Sequence, residues 1–306
     1  MSNSKFTINA RNAVLLVVCG IFIFFNVWVW QEVVRFVSAP DVRVFFFDVG
    51  QGDATLIDSK DGRQILIDGG PSGAILTRLG SVMPFGDNSI DAIIISHPHA
   101  DHISGLVSVL ERYSVGVIFE SGARYTSSEF RALEQAIDKK GVKRVYVDQP
   151  MTIFFGDDAR LALVSPNDSF VGSNLKRIHD AMIVGFLEYK DARVLFMGDA
   201  EQKLEERLAK QNILPKIDIL KAGHHGSKTS SSNYFLNTIK PQVAVLSVGK
   251  NKYGHPNDGV MERLNAFRIR IFRTDEDGTI EARFFDSQVF ISSWRGEGKD
   301  IWERIR

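Results

Sequence analysis

One cysteine, Cys19, is all that 306 residues contain, so no disulfide can form within the chain and thiols say nothing of its redox compartment. There is no excess of charge either, because 37 Lys and Arg are balanced by 37 Asp and Glu. A protein that coats nucleic acid through a broad basic face carries a surplus of cations, so any such contact here must be local to a site. Nine prolines and the absence of a low-complexity or Gly/Ser-rich tract leave nothing that reads as a linker. With 44% apolar and 24% charged residues, the composition is that of a packed core and not of a disordered chain.

What the chain does have is a long apolar run near its start. "AVLLVVCGIFIFFNVWVW", residues 13–30, contains no charge, and Asn26 is its one strongly polar residue. Continued through Val37 it reaches the length of a membrane-spanning helix, with Trp28 and Trp30 where an interfacial belt would place them. The reading is a short tail over 1–12 and a transmembrane anchor over 13–37. Val37 and Ala39 resemble a signal-peptide cleavage site, but Pro40 would follow the cut, which opposes processing. The anchor is therefore expected to be retained. Lys5 and Arg11 before the span and Arg35 and Arg43 after it give a weak charge bias, so charge alone does not orient it.

The remainder, 41–292, reads as one domain, with a polar, solvated tail over 293–306. Apolar runs bounded by Gly and Asp ("VRVFFF", "ATLID", "ILID", "IDAIIIS") suggest strands, the second and third joined by a turn at Asp61 and Gly62. "SGLVSVLER" follows as a helix, and a second helix is expected near 127–140. A second series, from "AMIVGFLEY" and "RVLFMGD" through the helix at 200–211 to "KIDILKAG", "QVAVLSVG", "DGVMERLNAF" and "RIRIFRT", repeats that order. Two packed sheets with helices outside, a four-layer αββα sandwich of the α/β class, is the predicted architecture.

Into one edge of this pattern falls "ISHPHADHISGL", which puts three of seven histidines and one aspartate between His97 and His102. Residues two apart in an extended segment face one side, so His97 and His99 can grip one cation, while Asp101 and His102 face a second position beyond the bend at Ala100. Imidazole and carboxylate together suit zinc, manganese or iron. The other histidines also lie at the edges of apolar runs: His179, the pair His224 and His225, and His255. Asp48, Asp53 and Asp68, at the ends of strands feeding that edge, are candidates either to hold imidazole N–H groups from behind or simply to cap turns.

In "DVGQGDATLI", "LIDGG", "SHPHADHISGL", "FMGDAE", "LKAGHHGSKTSS", "YGHP" and "RTDEDGTI", in this order, residues 42 to about 285 resemble the metallo-β-lactamase superfamily, and within it the domain found in ComEC DNA-uptake proteins. The resemblance implies two divalent metal ions, zinc or manganese foremost. His97, His99 and His179 would hold one, Asp101, His102 and His224 the other, and Asp199 would bridge them. His225 is the rival of His224. Asp101, Asp199 and His255 would serve catalysis, His255 by protonating a leaving oxygen. Apart from the resemblance, Lys221, Lys228, Lys250 and Lys252 bracket the late histidines, where with Ser227 they are candidates either to contact an anionic substrate or simply to be solvated. The sequence departs from the subfamily where His179 stands for Asn, Met182 for Ser and Asn257 for a second His. The implied function is a membrane-anchored, metal-dependent phosphodiesterase or nuclease acting on DNA outside the cytoplasm, with a separately encoded DNA channel as a possible partner. A hydrolase of another ester or lactam, or of an envelope phosphodiester, and a non-catalytic metal-binding module are the alternatives.

Overall fold

The structure, a computed structural model, describes residues 9–37, 39–156, 158–286, 288–294 and 302–305. Two units separate after Pro40. The first holds helix α1, Ala10–Val37. Its stretch Arg11–Gln31 has a mean hydropathy of 2.5 and is long and apolar enough to cross a membrane. Asn26 donates Nδ2 to the Phe22 carbonyl at 2.8 Å, four residues back on this helix. Lys5 and most of the expected tail over 1–12 lie outside the described residues.

The second unit begins with β1 (Val42–Phe46), β2 (Thr55–Ser59) and β3 (Gln64–Ile67), an antiparallel meander. Helix α2 (Ala74–Val82) leads to β4 (Ser89–Ile94), α3 (Ala100–Arg112) to β5 (Ser114–Glu120), and α4 (Ser128–Lys140) to β6 (Lys143–Tyr146). From β3 onward these strands run parallel. The second sheet repeats the plan. Its strands β7 (Met151–Phe155), β8 (Ala159–Ser165), β9 (Val184–Tyr189) and β10 (Ala192–Phe196) are antiparallel neighbours. After α5 (Gln202–Lys210), β11 (Ile219–Lys221), α6 (Asn233–Ile239), β12 (Val243–Leu246), α7 (Asp258–Ala266) and β13 (Arg270–Arg273) continue it in parallel. The turn α8 (Thr274–Asp277) returns the chain to the first sheet, where β14 (Thr279–Phe285), β15 (Gln288–Trp294) and β16 (Glu303–Arg304) pair along the free side of β1.

Three apolar clusters make four layers. Val44, Ile57, Leu161, Val194 and Val245 belong to the one between the sheets. Leu79, Leu106 and Leu133 fix α2, α3 and α4 to the outer face of the first sheet, while Leu208, Leu236 and Leu264 fix α5, α6 and α7 to that of the second. The predicted αββα order is what the structure shows. Elements missing from the sequence reading include α2, α6, β7 and β15, short ones of nine, seven, five and seven residues, too brief for a clear periodic signal. Helix α3 starts four residues before the predicted one. The stretch expected as a solvated tail from 293 onward behaves differently where it is described. Trp294 ends β15 and packs against Phe45 on the outer face, Arg283 stacks on Trp302 at 3.9 Å, and Ile305 packs toward the inter-sheet core, so apolar side chains of this segment are used on both faces of the sheet. Asn257, which stands where the subfamily has a second His, caps α7 by accepting the Gly259 N–H.

Helix α5 carries one buried carboxylate with a packing task. Glu205 accepts backbone N–H groups of Ser231 at 2.6 Å and Ser232 at 2.9 Å, holding the loop that enters α6.

Candidate metal centre

The parallel strands of both sheets discharge their loops at one edge, the carboxyl-end crevice where open α/β sheets bind ligands. After β4 the chain stays extended to His99, which stands at the N-cap of α3. Asp101 and His102 therefore occupy the first helical turn, where a carboxylate is favoured by the helix dipole. Close packing holds this turn in place. A Cβ on Gly52 would sit 2.2 Å from the Asp101 carbonyl oxygen, and one on Gly105 only 1.9 Å from that of Gly69. The glycines of "DVGQGD" and "HISGL" thus let two loops close on the histidine segment.

Two sets of donors converge. Ligand atoms of His97, His99, His179 and Asp199 all lie within 4.8 Å of one another, and so do those of Asp101, His102, Asp199 and His225. Asp199 belongs to both. Its Oδ2 is 3.7 Å from His97 Nε2, while its Oδ1 is 3.2 Å from His102 Nε2 and 3.5 Å from His225 Nε2. His225 Nε2 also lies 3.2 Å from Asp101 Oδ2.

Of the two rivals for the second set, it is His225 and not His224 that lies with Asp101 and His102. Both histidines of the pair have left-handed backbones, φ 50° and 54°, a strained run for two residues with Cβ atoms that splays their rings apart. His225 is pinned through Nδ1 to the Ser247 carbonyl at 2.8 Å, which aims Nε2 at Asp101. His224 turns to His179 and Glu201 instead, with which it forms a third group of possible donors, and its Nε2 approaches the other oxygen of Asp199 at 3.7 Å.

Carboxylates stand behind the ligands. Asp68, fully buried, receives Ser96 N and Oγ and lies 2.8 Å from His102 Nδ1. Asp53 sits 3.2 Å from His225 Nδ1 and forms an ion pair with Lys221. Lys221 is thus a buried scaffold cation and not a substrate contact as its neighbourhood in sequence suggested. Of the two roles open to Asp48, the structure shows the cap: it accepts the Gly50 N–H and pairs with Arg78 at 3.1 Å, reaching no imidazole among the described residues. Ser227 is buried, with Oγ within 3.1 Å of Thr229 Oγ1, so it ties its own loop together. Lys228, Lys250 and Lys252 are exposed. His255, clamped through its backbone by Asn251, enters neither donor set, yet its ring lies 5.6 Å from that of His224. Glu201, two residues past Asp199 in "FMGDAE", was not singled out by sequence reasoning although the motif contains it.

These residues fit a pair of cations. His97 Nε2, His102 Nε2, His179 Nε2 and Asp199 Oδ1 are buried without a hydrogen-bond partner among the described residues, which is costly unless something positive is bound there. Burial and the neighbouring imidazoles hold His97 well below its ordinary range and His99 at about 4, so these two are neutral donors. Against burial, Asp199 and Asp68 push His102 well upward, and Asp199 and Asp53 push His225 to about 10. The carboxylates around those two rings therefore call for positive charge. Asp53 opposes its own burial through Lys221 and His225 and stays at about 2, while burial raises Asp68. Burial and adjacent histidines lower His255.

Comparison with known proteins agrees with this geometry. The family model described as the metallo-beta-lactamase superfamily matches residues 47–250. Among curated proteins, Recombination protein 2 of Haemophilus influenzae is 30% identical over 275 residues, covering 88% of this chain and 32% of that protein. ComE operon protein 3 of Bacillus subtilis is 28% identical over 79% of this chain and 33% of that protein. The chain thus spans about a third of the length of the curated relatives it matches. Among solved structures, CmlA, a diiron beta-hydroxylase from Streptomyces venezuelae, is similar in fold, with a TM-score of 0.53 at 14% identity over 81% of this chain and 55% of that one. With its two mirrored sheets, its histidines at the strand ends and a family match across two thirds of its length, the chain belongs to the metallo-β-lactamase superfamily.

Proposed function

We propose that this domain is a metal-dependent phosphodiesterase that cleaves DNA in a competence-like process, held on the membrane by α1 with the domain on the extracytoplasmic side. The observation that carries the reading is the pair of donor sets joined by Asp199, both complete and both at a crevice. His97, His99, His179 and Asp199 would hold one divalent cation, zinc or manganese, and Asp101, His102, Asp199 and His225 the other. Two cations so held supply a hydroxide at ambient pH and neutralise the charge that develops on a phosphoryl group. The chain's own residues do the rest. Asp68 and the Ser247 carbonyl fix the tautomers of His102 and His225, leaving each Nε2 free to ligate, and Asp53 adds a negative charge behind His225. His255, which enters neither set and whose ring lies 6.5 Å from that of His225, would be the proton donor to the departing oxygen. DNA as substrate is supported by the relatives, whose names include Recombination protein 2 and Competence protein ComA of Neisseria gonorrhoeae. A membrane channel for DNA is the partner this reading calls for.

The test is to incubate the full chain in detergent, metal-loaded or chelated, with single- and double-stranded DNA, RNA, bis(p-nitrophenyl) phosphate and a β-lactam. Metal-dependent strand cleavage, lost in His255→Ala with both ions retained, is the expected result. Cleavage of the lactam alone would overturn it, and binding of DNA without cleavage under any metal would leave a binding module.

A further inference from the structure

A cavity of about 660 Å³ opens beside His99 and His179, and its walls differ in chemistry. One wall is aromatic. Tyr125 and Phe170 are only partly buried and pack with Leu175 against Ala123 and Ile178 in a small cluster separate from the three main ones. The Tyr125 ring lies 5.3 Å from that of His99, so this wall abuts the donor atoms of the first set. A backbone bridge between Arg124 and Asn174 binds the two loops that carry these rings, which makes the wall part of the scaffold.

The charged part of the lining is mainly cationic, with Asp180 and Glu201 as its two carboxylates. Lys176 and Arg177 approach from the loop before His179, and Lys203 and Arg207 from α5. Lys203 and Arg207 are four residues apart and share one face of the helix, whose other face is buried through Leu204 and Leu208. Like charges at that spacing repel each other, so the arrangement is unfavourable for the helix by itself. Among the described residues neither has an ion-pair partner, nor has Lys176, whereas Arg177 is held by Asp180 at 3.0 Å. Three exposed cations with no ion-pair contact among the described residues thus line one cavity with two partly exposed rings, beside the first donor set.

We propose that this cavity binds the nucleotide adjoining the scissile phosphodiester of a single strand, its base on Tyr125 and Phe170 and its phosphates on Lys176, Lys203 and Arg207. The inference rests on the nuclease reading and names where and how that substrate is held. Ring faces accept any base but only an unstacked one, and the space suits one small ligand, so a paired duplex is excluded. The chain needs no basic surplus for this, in keeping with its balanced charge.

The experiment measures anisotropy of a phosphorothioate oligothymidylate on the full, metal-loaded chain in detergent, across a salt series, with cleavage of the normal strand followed in parallel. Lys203→Gln/Arg207→Gln should weaken binding roughly tenfold and reduce the slope of log affinity against log salt by about 1.4, two single-strand phosphate contacts' worth. Tyr125→Ala should weaken binding roughly tenfold for oligothymidylate and little for an abasic strand, as loss of stacking requires. Lys139→Gln/Lys143→Gln, exposed on α4 and β6, should match the wild type, and metal analysis of each variant shows that the fold is kept. Wild-type affinity and salt slope in both cavity variants would overturn the proposal. Weakened binding in a protein that cleaves no strand would retain the cavity and remove the nuclease. Normal cleavage with unaltered binding would do the reverse.

Discussion

The two donor sets share Asp199, yet they are supported in different ways. Behind His102 and His225 stand Asp68 and Asp53, buried carboxylates at 2.8 and 3.2 Å from the far ring nitrogens. Behind His97 there is only the Ser96 hydroxyl at 3.1 Å, and no carboxylate other than Asp199 comes within ion-pair distance of His97, His99 or His179 among the described residues. A carboxylate behind an imidazole makes it a stronger ligand and fixes its orientation. With cations bound as proposed, the position between Asp101 and His225 would hold its ion more firmly than the one between His97 and His179. A shared bridge does not make two equivalent sites.

The largest effect expected is at that bridge. Asp199→Asn removes the one carboxylate common to both sets, so elemental analysis should find at least one ion lost and turnover should fall on the order of 10³-fold, as when a transition state loses its main electrostatic support. Wild-type metal content in this variant would show the sets to be independent. Next comes the histidine pair. His225→Ala should lose the firmly held ion, whereas His224→Ala should retain both; the opposite pattern would reverse their assignment.

Smaller changes probe the support itself. Asp68→Asn and Asp53→Asn should each weaken the second position by about 10 to 100-fold in metal titrations and leave the first unaffected. They should differ in stability. Asp53→Asn strands the buried Lys221 ammonium, at a cost on the order of 3 kcal/mol, so it should melt well below Asp68→Asn. Equal melting points would mean that Lys221 finds another partner.

The smallest effect lies away from the metals. Burial raises Glu205 from 4.5 to about 7, outweighing the N–H groups of Ser232 and Ser231. The folded carboxyl then holds its proton more tightly than the unfolded one, so its share of stability is complete below about pH 4.5 and fades as pH rises toward about 7. Thermal melts of Glu205→Gln should be flatter across that window. An unchanged profile would show that the two backbone donors keep Glu205 ionised throughout.

The motif from His97 to His102 was legible because an extended stretch and a helix start obey simple side-chain directions. The later pair was not. Two consecutive left-handed residues follow no such rule, and only the tertiary anchor at Ser247 separates His225 from His224. Lys221 was misread for a similar reason. It ends a three-residue strand buried on both faces, where proximity in sequence to a histidine says nothing of which way the side chain turns. The layer order could be read from alternating strands and helices, whereas α6 and β7 were too short to register. "RTDEDG" pointed to the family without revealing its task. In the structure Thr274 Oγ1 accepts the Val248 N–H at 2.8 Å and Asp277 accepts the Arg273 N–H at 2.8 Å, so the segment braces the end of β12. The cationic wall of the cavity escaped notice because its lysines and arginines come from two distant segments, with ordinary neighbours in each.

Asp101 and His225 stand 124 positions apart in the chain, one following a strand of the first sheet and the other a strand of the second. An ion gripped by both is a cross-link between the two halves of the sandwich. In a chain whose one cysteine lies in α1, it takes the place of a disulfide. Closing a loop of that length is worth up to about 5 kcal/mol by the entropy it removes from the unfolded chain. Chelation should thus loosen the sheets from each other as well as silence the site, and the folded lifetime of the domain becomes a reading of the metal supply around it.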